Sequence, residues 1–301
     1  MYKTFNYIIN SIIPLIPKSF IKIFANRYIA GVKNHQALNV VESINKLNLC
    51  ATLDILGEHT LNNEEAINIT KEYIQLYTQI YKNNLDCNIS IKPTHIGSDI
   101  DYELFIQNMN LILNKAKSYN NFLRLDMENH KLTDLTLKTY NNYINKNLGI
   151  VLQAYLYRTK NDILSLKEGS NIRLCKGIYN ESAKIAIKDA QKINENYLEL
   201  LKIAFKRNIY TGIATHDEDL INKACKIINE LNVSKDKFEF QVLYGVPMKN
   251  KINELLDKKY KVRVYIPYGK DWYKYSIRRI KENPNISKYI IKNFFKKNIY
   301  T

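Results

Sequence analysis

The sequence predicts an α/β fold, a (β/α)8 barrel of the TIM type, on three observations. Eight short apolar runs are bounded by turn residues, the segments between them show helical periodicity, and each unit takes roughly 20 to 45 residues. A chain of 301 residues accommodates one such barrel, which needs about 250. Its 46% hydrophobic and 25% charged residues mark a folding globular protein. Eight strands exceed the usual open doubly wound sheet, and no G-x-G-x-x-G follows the first, which disfavours a dinucleotide-binding Rossmann fold.

Residues 1–47 precede the first strand and read as an N-terminal helical arm, leaving 48–301 for the barrel. The arm is Ile-rich from Tyr7 to Phe24, but Pro14, Pro17, Lys18 and Lys22 interrupt it well short of a membrane span. The expected strands are LCATLDILG at 49–57, CNISIKPT at 87–94, FLRLDME at 122–128 and GIVLQAYLY at 149–157. They continue with NIRLCKG at 171–177, YTGIATH at 210–216, FEFQVLYG at 238–245 and KVRVYIPYG at 261–269. Seven are followed by a clear helical stretch. Ile67, Ile74 and Ile80 mark one, and Ala183, Ile187 and Ala190 mark another that begins at ESAK.

The excess of 45 Lys+Arg over 29 Asp+Glu, a formal charge of +16, raises nucleic acid, membranes or acidic ligands as partners. Lys, Asn, Ile and Tyr are abundant together and the lysines are scattered, as AT-rich codon usage would produce, so no nucleic-acid surface is expected. Cys50, Cys87, Cys175 and Cys225 lie far apart without metal-ligand spacing, so neither a disulfide framework nor a metal site is expected, and a reducing cytoplasm is the default.

The strands depart from the usual branched apolar barrel interior. Lys92, Asp126, Gln153, Arg173, His216, Glu239, Gln241 and Tyr265 fall in their middle or carboxyl-terminal parts, where barrel active sites are built. Alternation puts Arg124, Asp126 and Glu128 on one face, and Glu239 with Gln241 on one face. Salt bridges closing the barrel's end would explain any single one; the set suits a polar ligand surrounded by the barrel. In the last helix Tyr275, Arg278, Arg279 and Glu282 share a face, either a solvated charged face or a clamp for a carboxylate.

RLCKGIY at 173–179, ATH at 214–216, FEFQVLYG at 238–245, RVYIPYG at 263–269 and RRIKENP at 278–284 resemble proline dehydrogenase motifs, in that family's order. YIAG at 28–31, LCATLDILGE at 49–58, IKPTHIG at 91–97, LRLDME at 123–128 and VLQAYLYRT at 151–159 match as well. The resemblance implies a distorted (β/α)8 barrel holding FAD noncovalently, of the single-function kind.

It further implies that L-proline gives a hydride from ring carbon C5 to flavin N5 and becomes 1-pyrroline-5-carboxylate, the first step of proline catabolism. A membrane quinone then takes the electrons. The +16 charge and the Ile-rich arm would suit a peripheral encounter with the inner face of a membrane. Arg173 and Asp126 take the catalytic positions, Arg173 beside the flavin N5 edge and Asp126 as the polar partner of Lys92. Gln153, Lys176, Gly177, Ile178, Met127, Thr215 and His216 are expected at the cofactor. Lys92, Arg278 and Arg279 are expected at the proline carboxylate, with Tyr179, Leu243, Tyr265 and Tyr275 around the ring and Glu282 holding the arginines.

Ile178, Pro93 and Cys175 depart from the family's usual Ala, Leu and apolar residue, which would narrow the pocket and bend the Lys92 strand. Tyr265 favours proline over hydroxyproline. A dehydrogenase of 4-hydroxyproline or another cyclic secondary amino acid is one alternative, and a non-catalytic basic barrel that binds anions is the other.

Overall fold

The computed structural model of the chain describes residues 18–143 and 147–282, apart from the side chains of 19, 20, 23, 24 and 278–282. Eight parallel strands pair in chain order and close: β1 (Cys50–Ile55), β2 (Cys87–Ile91), β3 (Leu123–Leu125), β4 (Leu148–Gln153), β5 (Asn171–Cys175), β6 (Tyr210–Ala214), β7 (Phe238–Leu243) and β8 (Val262–Tyr268). The last pairs back onto the first, from Cys50↔Arg263 to Ile55↔Tyr268.

Helices α1 (Lys18–Tyr28) and α2 (Asn34–Asn45) precede β1. A helix then follows each strand: α3 (Asn63–Lys82), α4 (Tyr102–Ser118), α5 (Thr133–Asn142), α6 (Thr159–Ser165), α7 (Ala190–Lys206), α8 (Glu218–Glu230), α9 (Lys249–Asp257) and α10 (Trp272–Glu282). The expected barrel is therefore present, and the helix after β4, seven residues long, is the short one.

The local sequence explains where these helices begin and end. Asn62, Asp101, Asp189 and Asp217 each accept a backbone N–H of the first turn, a cap worth about 1 kcal/mol. At the other end Asn48, Asn84, Asn120, Asn208 and Asn232 take the left-handed conformation, where asparagine stands in for glycine. The residue after each, apolar in every case but Asn121, turns its N–H back to the helix, as in Leu85 to the Ile80 carbonyl at 3.1 Å, and leads toward the next strand.

Two helical expectations need correction. Ile67 is 39% exposed, because Tyr73, Leu76, Tyr77 and Ile80 form the buried stripe of α3. Residues 181–189 are not helical: α7 starts only after the Asp189 cap, and Ala186 instead bridges to Leu156.

The outer strand faces pack on the helices with Leu53, Ile89, Leu125, Ile150, Leu174, Ile213, Phe240 and Val264, each at most 1% exposed. Burying a side chain of this size contributes about 1.5–3 kcal/mol. The alternate positions face inward and are mostly polar. Paired register neighbours among them include Thr52↔Asn88, Asp54↔Ser90, Ser90↔Arg124 and Gln241↔Arg263. The segment after α1 is tied across the carboxyl end, where Ala30 N–H donates to the Pro267 carbonyl and Gly269 N–H to the Gly31 carbonyl.

Candidate active site

Lys92 ends β2. Pro93 at the first position of a 3-10 turn (Pro93–Ile96) stops the strand, and Lys92 serves as its extended N-cap. The Lys92 Nζ donates to both Asp54 carboxylate oxygens, at 2.9 and 3.0 Å, with both residues buried. This corrects the expected pairing: the direct partner of Lys92 is Asp54 on β1, and Asp126 acts on it only through its charge. Burial works against the ammonium, but Asp54, then Asp126, outweigh it and hold the Lys92 pKa above the usual lysine value. Burial also raises the Asp54 carboxyl, which runs against an ion pair. The bidentate geometry identifies the ionised pair as the form present.

Asp126 follows β3 and joins two other strands. One oxygen accepts from Arg173 Nη1 at 2.8 Å and the other from the Tyr265 hydroxyl at 2.9 Å. Arg173 on β5 also donates from Nε to Gln241 Oε1 at 2.5 Å and from Nη2 to Ser90 Oγ at 3.1 Å, and it stacks 4.9 Å over the Tyr265 ring. Burial, then Asp126 and Asp54, raise the Tyr265 phenol well above its ordinary pKa, so it stays a neutral donor. Four predicted residues share one polar cluster, with Lys92, Asp126 and Arg173 buried, Tyr265 half-buried, and Lys92 coupled to the rest through the charge of Asp126. Neither Asp54 nor Ser90 was singled out from the sequence. An aspartate inside the apolar run CATLDI was the available signal.

Glu128 lies beyond the strand. It accepts from the Thr94 amide at 3.0 Å and the Thr94 hydroxyl at 2.6 Å, while its carbonyl accepts from Gln153 Nε2 at 3.1 Å. It links the turn after Lys92 to the end of β4. Burial raises its carboxyl pKa, partly offset by the Thr94 bonds.

The residues expected at a cofactor lie along the ends of β3 to β6. Met127 sits in the main apolar core, Thr215 is buried, and Ile178 is exposed. Lys176 Nζ pairs with Asp217 at 2.7 Å, which Asn194 also holds. Gly177 has φ of 108°, and a Cβ there would come within 2.2 Å of the Tyr155 ring, so its close backbone approach is to Tyr155. His216 is exposed as a residue, yet its Nε2 accepts the Leu243 N–H at 2.8 Å and must be unprotonated there. Packing around the ring and the nearby Lys176 push its pKa down to about 4.

Tyr275 packs with Ala25, Ile29 and Leu56 beneath α10, and it lines a cleft of about 50 Å³ with Lys92, Glu58, Asp271 and Lys274. Tyr179 is partly buried in the segment after β5, and Cys175 Sγ lies 3.5 Å from the Leu152 carbonyl. Arg278, Arg279 and Glu282 belong to the α10 backbone, and their side chains lie outside the described residues. Among the described residues, no cluster of His, Cys, Asp and Glu could hold a metal, and no helix is long and apolar enough to cross a membrane.

A crystal structure of proline utilization A from Bdellovibrio bacteriovorus, inactivated by N-propargylglycine, superposes with a TM-score of 0.80 at 26% identity. The match covers 92% of this chain and 34% of that one, so the chain spans about a third of that protein. The structure of proline utilization A from Corynebacterium freiburgense shows the same fold at 19% identity, with a TM-score of 0.76 over 97% of this chain and 34% of that one. In sequence, the chain is 37% identical to proline dehydrogenase 1 of Bacillus subtilis subsp. natto, over 91% of each chain. It is 34% identical to the proline dehydrogenase of Deinococcus radiodurans over 90% of each. The proline dehydrogenase family model matches residues 37–291. On these grounds, the chain belongs to the proline dehydrogenase family.

Proposed function

We propose that the chain oxidises L-proline to 1-pyrroline-5-carboxylate, with FAD as its cofactor and a quinone as electron acceptor. The observation that carries the reading is the meeting of the buried Lys92, Asp126 and Arg173 with the half-buried Tyr265 in one polar cluster at the carboxyl end of a barrel of this family.

The donor set suits a flavin nucleotide. Arg173 carries five N–H groups, of which Gln241, Asp126 and Ser90 take three among the described residues, leaving two for a ligand. Gln153 offers an amide, while Lys176, Thr215 and the backbone around Gly177 and Ile178 suit phosphate and ribityl oxygens. Met127 and His216 would flank them. A pyrophosphate there would share or displace the Asp217 contact of Lys176. When bound, FAD supplies the hydride acceptor for the substrate's ring carbon C5.

The chain's own residues do the rest. Lys92, oriented by Asp54, would meet the substrate carboxylate together with Arg278 and Arg279, which Glu282 would steady. Tyr265, Tyr179, Tyr275 and Leu243 would wall the pyrrolidine and exclude water. Asp126 fixes both Arg173 and Tyr265, so the cation next to the reacting ring keeps one orientation. The arm at 7–24 would bring the enzyme to a membrane surface where quinone resides; residues 1–17 lie outside the described residues.

Turnover with a dye acceptor on L-proline and on trans-4-hydroxyproline tests the reading. A clear preference for proline is expected, and a preference for hydroxyproline would overturn the substrate assignment.

A further inference from the structure

We infer that Gln241 is a positioning residue for Arg173, held in one amide orientation by the Glu239–Arg263 pair on the barrel floor, and that this relay tunes the flavin bound beside Arg173. The inference rests on the flavin reading above. Arg263 Nη1 donates to the Ala51 carbonyl at 2.6 Å and its Nε donates to Glu239 Oε1 at 2.8 Å. The same Glu239 oxygen accepts from Gln241 Nε2 at 2.6 Å, and Gln241 Oε1 accepts from Arg173 Nε at 2.5 Å. All four side chains are buried.

The chemistry at each end fixes the amide. A guanidinium can only donate, and an ionised carboxylate can only accept, so a flipped amide would set N–H against N–H and oxygen against oxygen. Burial would raise the Glu239 carboxyl, but Arg263 pulls it down to about 2, so it is an acceptor throughout the working pH range.

Gly212 on β6 makes the room. It sits in register between Arg173 and Glu239, and a Cβ there would come within 2.4 Å of Gln241 Nε2. Three strands thus cooperate to hold one arginine. None of these floor residues reaches the carboxyl-terminal cleft lined by Lys92 and Tyr275. Their effect is exerted through the direction of the Arg173 charge.

The test uses the flavin-loaded protein and two variants, Gln241→Met and Gln241→Glu. Gln241→Met keeps volume and removes both hydrogen bonds. It should slow flavin reduction by proline about tenfold or more, as expected for a lost charge-assisted bond, with the proline concentration for half-maximal rate little changed. It should also shift the flavin's reduction equilibrium about tenfold, which is about 30 mV for a two-electron couple, read against a dye of known potential.

Gln241→Glu is nearly isosteric and copies the glutamine only when protonated. Its potential should show an added inflection with pH that neither wild type nor Gln241→Met shows. If both variants reduce at the wild-type rate and potential, or if Gln241→Met loses rate with no change in potential and Gln241→Glu shows no added inflection, the inference is overturned. A wild-type protein that never reduces on proline overturns the proposed activity and the inference with it. Normal wild-type reduction beside unchanged variants overturns the inference alone.

Discussion

Replacing Asp54 by Asn removes one charge from the buried Lys92 pair and changes little else. Both side chains are nearly excluded from solvent, 9% and 1% exposed, so water cannot replace the lost partner. Removing one member of such a pair costs about 3–5 kcal/mol. The upper limit has a second origin: at pH 7 Lys92 can escape by losing its proton, which for a lysine of ordinary pKa costs about 5 kcal/mol. In a chain of this size each kcal/mol lowers the melting temperature by about 2 °C, so Asp54→Asn should melt about 6–10 °C below wild type. The assay is thermal unfolding of wild type, Asp54→Asn, Lys92→Met and the double variant at matched flavin content. The double variant should be at least about 2 kcal/mol more stable than additivity allows, because it leaves no stranded charge. An Asp54→Asn protein that melts within a degree of wild type, with additive singles, would refute the pairing.

Three further outcomes follow from the geometry. His95 is buried beside Tyr73, and burial with the Lys92 charge pushes its pKa down to about 3. The unfolded chain therefore takes up a proton below about 6.5 that the folded chain refuses. This stability is full above that pH and falls by at most about 1.4 kcal/mol per unit toward pH 3. The melting curve of His95→Gln against pH should be shallower in that window, and an identical slope would contradict the assignment. Gly245→Ala should lose at least about 2 kcal/mol in denaturant unfolding, since its φ is 81° and a Cβ would meet the Arg27 carbonyl oxygen at 1.9 Å; a neutral result would contradict it. Arg278→Met or Arg279→Met should raise the proline concentration needed for half-maximal flavin reduction while flavin stays bound, and an unchanged requirement would count against the carboxylate role.

The architecture was legible because both periodicities are written in the chain: every expected strand overlaps its observed counterpart. The inward polar set was legible for the same reason, since period-two alternation exposes Arg173, Glu239 and Gln241 against apolar neighbours. What alternation cannot give is which of its two flanking strands an inward side chain turns to. Asp126 and Lys92 were expected as partners, whereas Asp54, from the adjacent strand β1, takes Lys92 and leaves Asp126 to Arg173 and Tyr265. The start of α7 was misread because 181–189 carries helical spacing, while the Asp189 cap and the Leu156–Ala186 bridge override it. Gly177 illustrates the same limit, its tight approach belonging to Tyr155, a residue 22 positions away whose proximity only the fold creates.

This barrel is proposed to oxidise proline through a bound flavin. The visible absorption spectrum of the purified, FAD-reconstituted protein tests it most directly. A yellow flavin spectrum that bleaches when L-proline is added without oxygen is the predicted result. A protein that stays colourless after reconstitution, or a flavin that remains oxidised in excess proline, would contradict it.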